Sequence, residues 1–162
     1  MQESFPLGRV CHVTMESRGS MMVRRLAIFA LAIFAWGCTT VTVRPVDRSA
    51  ELKHVCIQEN SKVWVKDFLP VLRDGFQRHG ISSEVFQDAA PDHCEFFVTY
   101  TALQSWDLAT YMTHAEVSLN RMGQPIAYGE FHLKGGGGLA LNKWRSTRSK
   151  MDPVIDELLA AY

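Results

Sequence analysis

The chain has 162 residues, of which 47% are hydrophobic and 21% charged, and its 17 basic and 17 acidic side chains cancel to a formal net charge of zero. That composition excludes a wholly disordered chain, and the absence of a basic excess excludes the global positive field by which nucleic acid is held. One core is expected, since two from this length would each be too small to offset chain entropy.

Met22-Val23-Arg24-Arg25 opens the most specific segment, followed by 11 uninterrupted apolar residues, 26–36, and then Gly37-Cys38-Thr39-Thr40. A short basic region, an apolar stretch and small residues at a cut describe a signal peptide. Eleven helical residues reach only about 17 Å, too little for the ~30 Å core of a bilayer. Ala35-Trp36-Gly37-Cys38 resembles the lipobox of bacterial lipoproteins. That resemblance implies cleavage before Cys38, acylation of its thiol and new amino group, and a membrane as partner through the acyl chains. Thr39 in place of Asp resembles lipoproteins sorted to the outer membrane. Residues 1–21 read as an upstream extension, 22–37 as the signal, 38–50 as a lipidated tether and 51–162 as a periplasmic domain. With Arg9, Arg18, Arg24, Arg25, Glu3 and Glu16 removed, acids outnumber bases in the exported part. Cys56 and Cys94 then remain as an even pair in an oxidising compartment, where a disulfide is expected. Two free thiols are the alternative.

Along the domain, His54-Val55-Cys56-Ile57 reads as a short strand. Val65, Phe68, Leu69, Leu72 and Phe76 then trace one face of a helix, with Gly80 placed to end it. Pro70 either starts or kinks that helix. Ile81 to Phe86 form a second strand, expected to run parallel to the first. Three period-two strands follow. Phe96 to Leu103 is one, and Tyr111 to Asn120 sets Tyr111, Thr113, Ala115, Val117 and Leu119 against a polar face. Ala127 to Lys134 is the last. Arg121-Met122-Gly123 reads as a three-residue hairpin loop, which opposes Asn120 to Gln124 and His114 to Glu130. Asp152-Pro153 reads as the start of a closing amphipathic helix. The order β-α-β-β-β-β-α predicts an α+β fold, a two-layer sandwich with two helices on one face of a mostly antiparallel sheet.

The lipobox, the His-Val-Cys-Ile strand, the run Asp67 to Phe76, the Trp106 to Tyr111 segment, Lys134 with Gly135 to Gly138, and Met151 to Leu159 together resemble a family of small outer-membrane lipoproteins of Gram-negative bacteria. The resemblance covers residues 22–162 and implies a location and an architecture, without an assigned activity. The topology is more loosely similar to the lipopolysaccharide-assembly lipoprotein and to the amino-terminal domain of the Tol translocation protein, a likeness of fold that transfers no function.

Lys134, Lys143, Arg145, Arg148 and Lys150 give five cations and no acid between residues 134 and 150. The plain reading is a connector after the last strand; the functional one is an anion site for lipid head groups or an acidic envelope protein. The glycine run lacks the Lys-Ser or Lys-Thr of a phosphate loop. His54, Cys56, His93 and Cys94 are the residue types of a zinc site, but adjacent His93 and Cys94 diverge in an extended chain, so a disulfide is the better reading. Neither a metal nor a cofactor is expected. His114, Glu130 and His132 share a polar sheet face without a nucleophile. Trp106 and Leu108, grouped with Tyr111 and Met112 at the tip of the long hairpin, are the candidate contact with a partner. The expectation is a non-catalytic binding or accessory module; an envelope hydrolase or an anionic-lipid or lipopolysaccharide-binding protein is the alternative.

Overall fold

The computed structural model describes residues 39–134 and 141–162. The elements in chain order are β1 (Thr39–Arg44), β2 (His54–Gln58), α1 (Phe68–Arg78), β3 (Ser82–Phe86), β4 (Phe96–Asp107), β5 (Ala109–Arg121), β6 (Gln124–Leu133) and α2 (Thr147–Leu158). They form one six-stranded sheet in the order β1-β6-β5-β4-β2-β3. β2 runs parallel to β3 and to β4, and the other pairings are antiparallel. The expected α+β architecture is present, and the two helices pack on each other and on the sheet.

Five differences from the sequence reading carry information. Residues 39–44, expected in a tether, are paired in the sheet: Thr39 pairs with Leu133 and Arg44 with Tyr128, so they form an edge strand. Alternating Thr and Val supply the β-branched pattern an edge strand needs, and Pro45, which cannot donate to a ladder, stops it. Val46 is then buried and donates its N–H to the Leu158 carbonyl, which fastens the strand's exit to the end of α2.

The β5–β6 hairpin has a two-residue turn, with Met122 at φ 50° and Gly123 at φ 77°, so Arg121 opposes Gln124. Two successive positive φ values match the twist of the flanking strands. A bulge beside Leu119 and Asn120 then brings His114 opposite His132, and Glu116 opposite Glu130. The expected register was off by one residue beside the turn, where Asn120 opposes Pro125, and by two beyond the bulge. Because side chains alternate with period two, the shift of two keeps every residue on its face and exchanges only its partner.

A second bulge, where Leu103 opposes His114 but Gln104 opposes Met112, changes the phase of β5. Met112 is buried with Tyr111, and Thr113 does not join the core. The final difference among the elements is α2, which starts more than a turn before Asp152. Ser146 caps it by accepting from the Ser149 N–H, and Pro153 lies inside it on the exposed side. There the carbonyl deprived of a donor by proline faces solvent, which lowers the cost of the interruption.

The ends of α1 follow from the sequence. Pro70 sits in the first turn, and the helix closes on Gly80 at φ 73°, with the Ile81 N–H donating to Phe76 O and the Gly80 N–H to Gln77 O. This paired closure requires a left-handed residue, which glycine adopts without penalty. Cys56 and Cys94 are joined by a disulfide with Cα atoms 6.1 Å apart. It ties β2 to the lead-in of β4, its neighbour in the sheet. Closing a loop of 38 residues contributes about 3–4 kcal/mol in the chain-entropy account.

The layers meet closely at Gly129 of β6, where an added Cβ would lie 2.8 Å from Val154 Cγ1 of α2. Gly129→Ala is expected to destabilise the domain by about 1–3 kcal/mol through overpacking, read as a lower midpoint in urea unfolding. At the far side of the helical layer, Arg78 forms an ion pair with Asp152 at 3.1 Å and donates to Asp156 at 2.9 Å, and His79 Nε2 lies 3.0 Å from Asp156. Burial alone would raise the Asp156 carboxyl, but bonds from Arg78 and His79 outweigh it and hold the group below its ordinary 3.8. A depressed carboxylate stabilises the fold above its unfolded pKa, and that contribution disappears as pH falls through the folded value. Asp156→Asn should therefore cost no more than about 1 kcal/mol at neutral pH, given its half-exposed side chain. Acid titration of thermal stability should show the two proteins converging below pH 3.8.

Candidate functional site at the hairpin end

The register defines one end of the molecule. β4 and β5 stay paired beyond Leu103 and His114 as far as Asp107 and Ala109, whereas β6 ends at Leu133, opposite Thr39. The long hairpin thus overhangs the start of β1 by three rungs, about 10 Å. At its tip Leu108 takes φ 61°, a left-handed conformation that a leucine adopts only at a cost. Leu108 is 82% exposed and Trp106 73%. Tyr111 and Met112, expected beside them at the tip, are buried.

The chain covers the inner side of this overhang with a 3-10 turn, Leu141–Trp144, and the first turn of α2. Lys143 Nζ bonds Asp107 Oδ2 at 2.5 Å and lies over the rings of Trp144 and Tyr111. Trp144 donates its indole N–H to the Asp107 carbonyl at 3.0 Å. Lys150 is buried and donates to the carbonyls of Met112 at 2.9 Å and Lys143 at 2.6 Å. Burial pushes the Lys150 ammonium below its ordinary pKa of 10.5.

The expected anion site therefore does not assemble. Lys143 and Lys150 are buried and used internally, and Arg148 bonds Asp74 of α1 at 2.6 Å. Lys134 and Arg145 are exposed, but they do not make a cluster of five. Long side chains reach inward along apolar surface and find oxygen there, which a charge count along the sequence does not register. Gly135 to Gly138 and Cys38 lie outside the described residues.

Beside the hairpin lies an open cleft of about 540 Å³, lined by Trp64, Asp67, Gln104, Thr110, Trp144 and Arg145 among others. Among the described residues Asp67 is the one carboxylate on its wall, and it accepts a 2.8 Å bond from Thr147. Among the described residues no histidine lines it. Trp64, on the loop after β2, is 76% exposed, and Leu141 is 81% exposed. The sequence reading did not single out these two; an isolated Trp or Leu in a loop carries no period to mark it. Together with Leu103, Trp106 and Leu108 they gather at one end of the sheet, where Thr39 also starts β1.

On the outer face of the sheet, His114, Glu116, Glu130 and His132 occupy two adjacent cross-strand pairs. Tyr128 donates to Glu130 Oε2 at 3.3 Å. Burial and the charges of Glu116 and Glu130 push its hydroxyl up to about 12. A second group surrounds the disulfide, where Glu84 Oε1 lies 2.7 Å from His93 Nε2 and 3.8 Å from His54 Nε2.

No family model matches the chain, and no curated protein matches it. Among solved structures it is similar to PelC, a dodecamer from Paraburkholderia phytofirmans. One form, the L103M variant, has a TM-score of 0.51 at 10% identity, covering 74% of this chain and 97% of that one. A second form has a TM-score of 0.51 at 8% identity and covers 74% and 95%. At such identities the likeness is one of fold. A weaker likeness is to a minor lipoprotein of Acinetobacter baumannii, with a TM-score of 0.33 at 10% identity, covering 67% of this chain and 90% of that one. Among the described residues no helix is long and apolar enough to cross a membrane.

The overhang is expected to depend on the Lys143 and Asp107 pair. Lys143→Ala leaves Asp107 half exposed and free to be resolvated, whereas Asp107→Ala takes the carboxylate from the buried Lys143 ammonium and is the costlier single change. A double-mutant cycle with Lys143→Ala and Asp107→Ala should give a coupling of about 1–3 kcal/mol in chemical unfolding. Hydrogen exchange should speed up over residues 104–112 in either single variant.

Proposed function

We propose that the chain is a lipid-anchored, non-catalytic module of the bacterial envelope, held at the periplasmic face of the outer membrane by acyl chains on Cys38 and resting its hairpin end on that membrane. The observation that carries the reading is the position of Thr39. It follows Cys38 directly and is already paired in the sheet, so the anchor has no spacer and fixes which end of the domain meets the lipid. At that end Trp64, Trp106, Leu108 and Leu141 are exposed. Tryptophan and leucine at a lipid interface bury apolar surface while indole N–H groups stay near the head groups. The strained, exposed Leu108 also fits a side chain kept for contact, since Gly at that position would relieve the backbone. An envelope protein docks beside the anchor on this reading, and nucleic acid has no part in it.

Cys38→Ala should abolish labelled-palmitate incorporation and release the protein from the membrane fraction; unchanged labelling and fractionation would sink the lipid-anchor reading. For the orientation, the mature chain beginning at Thr39 is mixed with lipid vesicles and floated. Burying one large apolar side chain contributes about 1.5–3 kcal/mol. Trp106→Ser with Leu108→Ser should therefore weaken association at least tenfold, and the blue shift of tryptophan emission on adding vesicles should be smaller than in the parent protein. Equal flotation of both would place the tip away from the lipid.

A further inference from the structure

The outer face of β5 and β6 carries an arrangement that the anchor does not use. His114 lies directly opposite His132, and Glu116 directly opposite Glu130, so four side chains of one face form a square. Like charges set directly across two strands disfavour the sheet. Among the described residues the ion pairs of Glu116 and Glu130 are both with His114, and no lysine or arginine neutralises either.

The hydrogen bonds orient the donors. His114 Nε2 lies 2.9 Å from Glu116 Oε1, and because a carboxylate only accepts, that nitrogen carries the proton. The lone pair of His114 is therefore on Nδ1, which lies 3.3 Å from His132 Nδ1 and 3.8 Å from Glu130 Oε1. Donors from His114, Glu130 and His132 all fall within 4.8 Å of one another. Tyr128 holds the other oxygen of Glu130. On the neighbouring strand Thr40 pairs with His132, and its buried hydroxyl has no hydrogen-bond partner.

We propose that His114, His132 and Glu130 form a binding site for a divalent transition-metal ion, with Zn2+ as the ion best matched to two imidazoles and a carboxylate. Metal–nitrogen bonds of 2.0–2.1 Å in a tetrahedron place neighbouring ligands about 3.3–3.4 Å apart, close to the separation of the two Nδ1 atoms. The second shell is in place before any metal arrives: Glu116 fixes the tautomer and orientation of His114, and Tyr128 orients Glu130. A dication also removes the repulsion between the two opposed carboxylates. Three protein ligands leave the fourth position to water or to an exchangeable donor. Mixed imidazole and carboxylate donors favour Zn2+ over Mg2+ and Ca2+, which take oxygen alone. The site stands independently of the lipid anchor, since every atom in it belongs to the folded sheet.

The experiment uses the full chain, purified in detergent with its disulfide intact, stripped of metal and titrated with ZnCl2 against a chromophoric chelator. One Zn2+ per chain is expected. His132→Gln, whose side chain is exposed and whose loss leaves the fold intact by circular dichroism, should remove this binding. Glu116→Gln or Tyr128→Phe, acting through the ligands, should weaken it by about 10–100-fold. Substituted Co2+ should show the visible bands of a nitrogen and oxygen tetrahedron without a sulfur charge-transfer band. Failure of the parent protein to bind Zn2+ would overturn the proposal. So would binding that survives His132→Gln and is lost instead with His54→Gln and His93→Gln around the disulfide.

Discussion

An ammonium group withdrawn from water must be surrounded by oxygen, and the buried Lys150 meets that requirement with the carbonyls of Met112 and Lys143. Those two carbonyls belong to the overhanging part of β5 and to the 3-10 turn. One side chain of α2 therefore ties together three segments that would otherwise part at the end of the sheet. Lys143 adds the bond to Asp107 at the hairpin tip, and the Trp144 indole adds another to the same residue's backbone. The β4–β5 hairpin stands beyond its neighbours because this set of contacts closes its inner side. Without them the overhang would be an isolated two-stranded ribbon, which is marginal in water.

The same contacts decide what the end of the molecule presents. With the lysines turned inward, the surface there is aromatic and aliphatic, from Trp64, Trp106, Leu108 and Leu141. A string of cations in the sequence has become structural support for an apolar tip. Because β1 starts at Thr39, the edge strand that closes the sheet and the proposed anchor share a peptide bond. Folding and orientation on a membrane would thus be one arrangement, with no flexible spacer between them.

The outer face follows a different logic. Its chemistry depends on which residues stand opposite one another, and this is set by the Met122-Gly123 turn and by the bulge beside Leu119 and Asn120. A two-residue displacement leaves every side chain on its face, yet it replaces a His–Glu pair by a His–His pair and brings two glutamates together. The core is insensitive to that difference; the surface cluster is made by it.

The sequence by itself determined the features that rest on local chemistry. Period two marked the long strands, Gly80 marked the left-handed closure of α1, and cysteine arithmetic selected Cys56 and Cys94. The resemblance of residues 35–38 to a lipobox singled out Cys38 as the residue on which the proposed envelope address would act. Thr39 to Arg44 carried a legible β-branched pattern, but an edge strand needs a partner, and that partner, β6, lies some ninety residues on. Only the tertiary structure decided that pairing, the two bulges and the early start of α2. It alone turned Lys143 and Lys150 inward, because a long amphipathic side chain has no preferred environment until the carbonyls that could receive it have been brought within reach.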